Sequence, residues 1–300
     1  TDATSNTPYN AIWYYDINAS GSIKFYSSGQ FNLNSNPQLN TTLAASGTAT
    51  PNVGILIKCA DRIQLSTGVN LTSSGSDITI WGDGDANGIG AIYLDANNVL
   101  TSNGGAITIG GGADDGGTGD MAGRVAGDQR PDGYAGSIQG WWYSANGQVV
   151  GVWLHAGYQL LSGGGPITIA GQDNPVVGYD STGVGMETGM VYSGTGKISI
   201  FGKMASGCTN NWHRAVMTGW GGTTYIISDS PSTDAVYIRG NSSTCDNANA
   251  VYANTLTIAD PGGDPLLELA RYEMGSNNLN VAVYVGLSSA TDPSDVDPDN

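Results

Sequence analysis

Charge is scarce in this chain. Only 12% of its 300 residues are Asp, Glu, Lys or Arg, and 10 basic residues face 26 acidic ones. The net charge of −16 excludes an electrostatic grip on nucleic acid or an anionic membrane, which both need clustered cations. Phenylalanine is nearly missing, at 3 residues. The 3 cysteines are too few, and odd in number, for a disulfide framework. Cys208 and Cys245 both sit in polar loops after strand-like phrases, so they either bridge or stay as two loop thiols that never meet. Cys59, inside the apolar stretch from Gly54 to Ala60, reads as a small buried or strand-end residue. No run of 18 apolar residues exists to span a bilayer, and no charged-then-apolar leader opens the chain. It begins at Thr1 without Met, which makes a processed protein or an excised segment the expectation. Histidines number 2, His155 and His213, neither with a Cys or His at metal-ligand spacing. His155 follows a strand-like leucine and reads as a strand end. No nucleophile elbow of the G-x-S-x-G kind and no phosphate-binding loop is present.

What the chain does have is glycine, 46 residues of it, and a hydrophobic content of 39%. Plentiful Gly, Ser, Thr and Asn with little charge suits short strands joined by tight turns. A phrase recurs: Ile78-Thr79-Ile80, Ile107-Thr108-Ile109, Ile167-Thr168-Ile169 and Ile198-Ser199-Ile200. The steps are 107 − 78 = 29, 167 − 107 = 60 and 198 − 167 = 31. Ser137-Ile138-Gln139 divides the 60 into two periods. Leu71, Leu100, Leu160 and Val191 each precede their phrase by seven residues, and Leu65, Leu94 and Leu154 by thirteen. Three short alternating apolar segments per period of about 30 residues predict an all-β fold, a parallel β-helix with three short strands per rung. The expected organisation is a cap over residues 1–20, one domain over 21–290 and an acidic linker or tail over 291–300. Residues 264–275 read as a short helix or, by continuity of the period, a strand.

Two departures from the repeat are candidate sites. Asp83, Asp85 and Asn87 followed by Gly88 copy the first half of a calcium-binding loop, while Leu94 stands where the closing Glu would be. Structural calcium held by these three residues is one reading, and a plain Gly/Asp/Asn turn is the other. Asp114, Asp115 and Asp120 in the next corner invite the same two readings. A Gly-rich insertion spans 110–137, the kind of long loop on a regular scaffold that carries binding. It leads into Trp141, Trp142 and Tyr143, with Trp153 following. Alternation faces Trp81, Gly110, Trp141, Ala170 and Phe201 outward in one column. Such aromatics either stack on sugar rings and partners or lie under the chain's own corner loops. The candidate ligand contacts are therefore Trp81, Trp141, Trp142, Tyr143 and Trp153.

Phrases such as GVNLTSSGSDITI, YQLLSGGGPITIAGQ and VYSGTGKISIFG resemble the repeats of filamentous haemagglutinin-like adhesins, large secreted exoproteins mostly of bacteria. The likeness covers roughly residues 55–205 well and 206–290 weakly. It implies a right-handed parallel β-helix, export to the cell surface, and a role in adhesion or in an extracellular filament. The expectation is a secreted or surface adhesin segment, not an enzyme, that binds carbohydrate or another surface partner. The alternatives are a filament subunit that binds copies of itself, and a lyase or hydrolase of polysaccharides. The last needs a carboxylate pair or a basic residue over bound sugar, and Arg124, Arg130, Lys203, Arg214 and Arg239 are scattered in sequence.

Overall fold

The computed structural model describes residues 3–7, 11–13, 17–33, 42–45, 53–117, 126–136, 149–173, 181–204, 213–230, 235–241, 249–253 and 256–259. Alternating apolar segments bounded by Gly, Ser and Asn make strands, and no helix occurs among the described residues. The first ten strands are β1 (Ala3–Thr7), β2 (Ala11–Trp13), β3 (Ile17–Ala19), β4 (Ile23–Ser27), β5 (Phe31–Leu33), β6 (Thr42–Ala45), β7 (Val53–Cys59), β8 (Ile63–Leu65), β9 (Asn70–Ser73) and β10 (Asp77–Gly82). Next come β11 (Ile92–Leu94), β12 (Val99–Thr101), β13 (Ile107–Gly111), β14 (Val149–Leu154), β15 (Tyr158–Leu161) and β16 (Ile167–Gln172). The last are β17 (Ser181–Tyr192), β18 (Ile198–Lys203), β19 (His213–Ile227), β20 (Val236–Asn241), β21 (Asn249–Ala253) and β22 (Leu256–Ala259).

These strands gather into two large sheets. One has 8 strands in the order β1-β4-β7-β10-β13-β16-β18-β20. The other has 14, in the order β2-β5-β8-β11-β14-β17-β15-β12-β9-β6-β3, with β19 joined to β17, β21 and β22. Strand pairing within both sheets is parallel.

This arrangement corrects the expected β-helical solenoid of three short strands per rung. The segments expected as two separate strand rows belong to one sheet, because β17 pairs with both β14 and β15. Nor are the strands uniformly short, since β17 runs 12 residues and β19 runs 15. The cause is local. Between β11 and β12 the chain turns at Asn97 (φ 59°), and between β14 and β15 at Gly157 (φ 84°). Within β17 only Glu187 and Thr188 separate the two apolar segments, and the strand absorbs them as shifts of register around Glu187 instead of turning.

Register within the sheets follows the repeated phrase. Ile78 pairs with Ile107, Ile107 with Ile167, and Ile167 with Ile198. The step of 60 is thus a single step between neighbouring strands. Pairing passes directly from β13 to β16, and the expected intermediate phrase at Ser137-Ile138-Gln139 lies outside the described residues. Residues 1–20, expected as a cap, supply β1, β2 and β3, which pair with β4, β5 and β6. Residues 264–275 and the tail at 291–300 lie outside the described residues.

Inward side chains of both sheets meet in one core. Ile78, Ile107, Ile167 and Ile198 of the first sheet are fully buried, as are Leu65, Leu94 and Leu154 and Leu71, Leu100 and Leu160 of the second. Each contributes about 1.5–3 kcal/mol on leaving water. Identical residues stack on one another because the register is parallel and in step, so the core holds its cross-section along the sheets.

The corners carry a second ladder. Ser102 and Ser162 are fully buried, and each hydroxyl donates to the carbonyl three residues on, of Gly105 and Gly165. Ser162 also lies 3.1 Å from the Ser193 carbonyl, Ser193 donates to Gly196 O at 2.6 Å, and Ser228 to the same oxygen at 2.8 Å. Glycine is required at the end of each corner for space: a Cβ on Gly165 would sit inside the Gly105 carbonyl, and one on Gly196 inside the Gly165 carbonyl.

Candidate functional site

Trp81 and Trp153 are each only 3% exposed, which removes both as open platforms. The outward face of β10 is covered by the chain itself. Trp81 Nε1 donates to Gly112 O at 2.8 Å, and the Lys58 ammonium lies 3.4 Å from its ring centroid. Gly110, beside Trp81 in the sheet, leaves room for Pro131 and Gly133 of the insertion, and Gly111 bridges Gly133. Trp153 lies over Gly185, where any Cβ would strike the ring, and it packs with Tyr93 and Met217. Trp141, Trp142 and Tyr143 lie outside the described residues, as do Cys208 and Cys245. Cys59 is fully buried at the end of β7, its Sγ 2.6 Å from Gly29 O, and burial pushes its thiol up to about 12.

The Asp83–Gly88 corner folds onto itself. Both Asp83 oxygens accept from Gly88 N, at 3.0 and 3.1 Å. Asn87 Nδ2 donates to Asp85 Oδ2 at 2.8 Å, and Asn87 Oδ1 accepts from Ile89 N at 2.8 Å. Gly84 N donates to Cys59 O at 2.8 Å and Gly112 N to Asp83 O at 3.1 Å, so β7 and the insertion clasp this corner. Burial raises the Asp83 carboxyl to about 6 from 3.8. The folded chain therefore takes up a proton between those values that the unfolded chain does not, and stability is lost as pH rises through 6. In chelator, Asp83→Asn is expected to melt higher than wild type at pH 8, by at most about 3 kcal/mol, and the gap should close near pH 4. A calcium ion held at this corner reverses the sign when calcium replaces chelator. Melting curves of the two proteins in both buffers check both statements.

A second oxygen set lies in the insertion. Carboxylate oxygens of Asp114, Asp128 and Asp132 come within 4.8 Å of one another, a grouping that can hold a divalent cation. Backbone amides also use these oxygens. Gly127 N and Gln129 N donate to Asp114 at 2.6 and 2.9 Å, Gly116 N to Asp132 at 2.6 Å, and Arg130 N to Asp128 at 2.9 Å. The Arg130 guanidinium pairs with Asp77 of β10, tying the insertion to the first sheet.

Each histidine pairs with a buried carboxylate. Asp173, Ser181 and His213, at exposures of 0%, 1% and 1%, meet where β16, β17 and β19 come together. Ser181 bonds both Asp173 and His213 Nδ1, so serine and carboxylate sit on the same ring nitrogen instead of opposite ones. His155 Nδ1 is 3.2 Å from Glu187 Oε2. Glu187 also accepts from Trp153 Nε1 at 3.2 Å and from Ala156 N at 3.0 Å. Burial raises the Glu187 carboxyl, against the opposing pull of His155 and those two donors. These bonds tie β14 and the corner after it to the β17 bulge.

Large rings do reach solvent elsewhere. Trp220 and Tyr225, both on β19, are each 41% exposed. Trp220 stands in register with Glu187 and Tyr225 with Met190 on β17, on either side of the register shift that follows Glu187. Arg214 lies 5.8 Å from the Trp220 ring centroid. Sequence reasoning passed over this pair because β19 falls where the repeat loosens, although Gly219-Trp220-Gly221-Gly222 is a visible ring among glycines.

A groove of about 270 Å³ opens where β4, β7 and the 83–88 corner meet, lined by Tyr26, Ser27, Ser28, Lys58, Ala60, Gly84 and Asp85. Tyr26, which lines it, packs against the buried pair of Leu56 and Trp81. Burial lowers the Lys58 ammonium below its ordinary value, and Asp114 acts in the opposite sense.

Compared with protein-family models, curated proteins and solved structures, the chain matches none. Among the described residues no helix is long and apolar enough to cross a membrane.

Proposed function

We propose that this chain is a segment of a secreted or cell-surface adhesin, a non-enzymatic body that binds carbohydrate through exposed rings. The observation that carries this reading is the pair of Trp220 and Tyr225, 41% exposed on one strand of a large parallel sheet. Rings fixed to a sheet lose little freedom on binding, and two of them on one strand offer stacking faces to the residues of a sugar chain. The buried setting of Asp173, Ser181 and His213 weighs against hydrolysis as the alternative. Calcium belongs to the same proposal as a structural ion, with the Asp83 corner and the Asp114 cluster as its two oxygen sets. The melting comparison above is its test.

Retention on a panel of immobilised polysaccharides tests the binding reading. Wild type is expected to be held by at least one polymer. Trp220→Ala and Tyr225→Ala should each weaken retention about 5- to 100-fold, by analogy with a ring stacked on a planar ligand at about 1–3 kcal/mol. Both variants remove exposed groups and should fold normally. A panel without retention, or retention indifferent to both substitutions, sinks this reading. Concentration-dependent assembly in the same preparation would favour the filament subunit instead.

A further inference from the structure

We infer that the groove formed by Tyr26, Lys58 and Asp85 is a second binding site, and that it takes a single neutral pyranose residue, such as a chain end. This goes beyond the Trp220–Tyr225 surface, because it lies on the other sheet and uses different chemistry. It shares with that reading only the idea that the ligand is a sugar.

Size limits the ligand first. At about 270 Å³ the groove falls below the ordinary range for drug-sized ligands, about 300–1,000 Å³, and accommodates one sugar ring and not an extended oligomer. Its construction sets the class. Tyr26 lines the groove and packs against the buried Leu56 and Trp81, so the site has one ring with a fixed backing. Lys58 also lines the groove, with its ammonium 3.4 Å from the Trp81 ring centroid, and is the lining's one cationic hydrogen-bond donor. Asp85 adds a carboxylate to the lining, one oxygen of which already accepts from Asn87 Nδ2 at 2.8 Å. A cationic donor and a carboxylate in one lining match the paired hydroxyls of a pyranose, while its C–H face suits the Tyr26 ring.

Charge then separates neutral sugars from acidic ones. The lining's one ammonium, Lys58, shares the groove with Asp85 and already feels the field of Asp114, on a chain of net charge −16. A uronate or a sulfated sugar would bring another anion against those carboxylates. The closed Asp83–Gly88 corner and the Gly84-to-Cys59 hydrogen bond hold Asp85 in place before any ligand arrives.

The test uses ligand-observed NMR titration of the whole chain with the methyl glycosides of glucose, galactose and mannose, and with glucuronate. Saturation by at least one neutral glycoside at millimolar concentration is expected. Tyr26→Ala and Asp85→Asn should each weaken it at least about 10-fold, while Trp220→Ala leaves it unchanged. Melting curves confirm that each variant is folded. Three results would overturn the inference: no neutral glycoside binding, binding unchanged in both groove variants, or glucuronate binding more tightly than every neutral probe. The two sites fail separately. Loss of polymer retention only in Trp220→Ala with no glycoside binding removes the groove alone. Glycoside binding lost in Tyr26→Ala, without any polymer retention, removes the Trp220–Tyr225 surface alone.

Discussion

Gly165→Ala is expected to cost this protein more than about 3 kcal/mol, the upper end of ordinary overpacking, and to lower its melting temperature accordingly. The backbone at Gly165 is not left-handed, so the cost is one of space. The added Cβ would meet the Gly105 carbonyl carbon and oxygen and the Gly104 oxygen, all backbone atoms that cannot swing away. Gly196 is stacked on Gly165 in the same way, so displacement of one corner presses on the next. Ser162→Ala provides the scale. It removes a fully buried hydroxyl bonded to Gly165 O and near Ser193 O, a loss of about 1–3 kcal/mol without crowding. Chemical denaturation of both variants checks the order. Equal or reversed losses would mean that the corners are held by hydrogen bonds more than by close backbone stacking.

Asp173→Ala is expected to cost about 3–5 kcal/mol, the range for removing one partner of a buried carboxyl–histidine pair. Asp173 is fully buried, accepts from Ser181 Oγ and lies 3.6 Å from His213 Nδ1. Its removal leaves Ser181 and His213 only 1% exposed without that acceptor, and loosens the joint between β16, β17 and β19. Asp173→Asn keeps an acceptor oxygen and should lose less, about 1–3 kcal/mol. Polysaccharide retention by the folded fraction at low temperature should be the same in wild type and both variants. A variant that melts normally yet loses retention or a cleavage activity would recast the Asp173–Ser181–His213 group as working chemistry.

Much of the fold was legible in the residues. The spacing of Ile78, Ile107, Ile167 and Ile198 names the strands that pair in the first sheet, because in-step parallel neighbours stack like on like. Alternation also placed their inward faces. The gathering into two sheets was not legible, since it depends on whether a corner turns. Glu187-Thr188 and Asp95-Ala96-Asn97-Asn98 are both short polar links, yet only the second contains a left-handed residue. Ser137-Ile138-Gln139 fits the period by composition alone, while pairing passes directly from Ile107 to Ile167.

The sites were less legible than the fold. Outward alternation says which way Trp81 and Trp153 face, not what lies over them. The insertion, Lys58 and Glu187 cover or bond these rings, and all three come from other parts of the chain. The Ser102, Ser162 and Ser193 ladder did have a signal, a serine two residues after each second-row Leu or Val with glycine three further on. The groove had none, because Tyr26, Lys58 and Asp85 meet only after β4 and β7 pair and the corner closes over them.

The most direct test of a binding body without chemistry is one incubation of the purified chain with the polysaccharide panel, measuring bound protein and newly formed chain ends together. Retention with no new chain ends is the predicted result. New chain ends that accumulate with time, and that scale with the amount of protein, would contradict it and make the chain an enzyme.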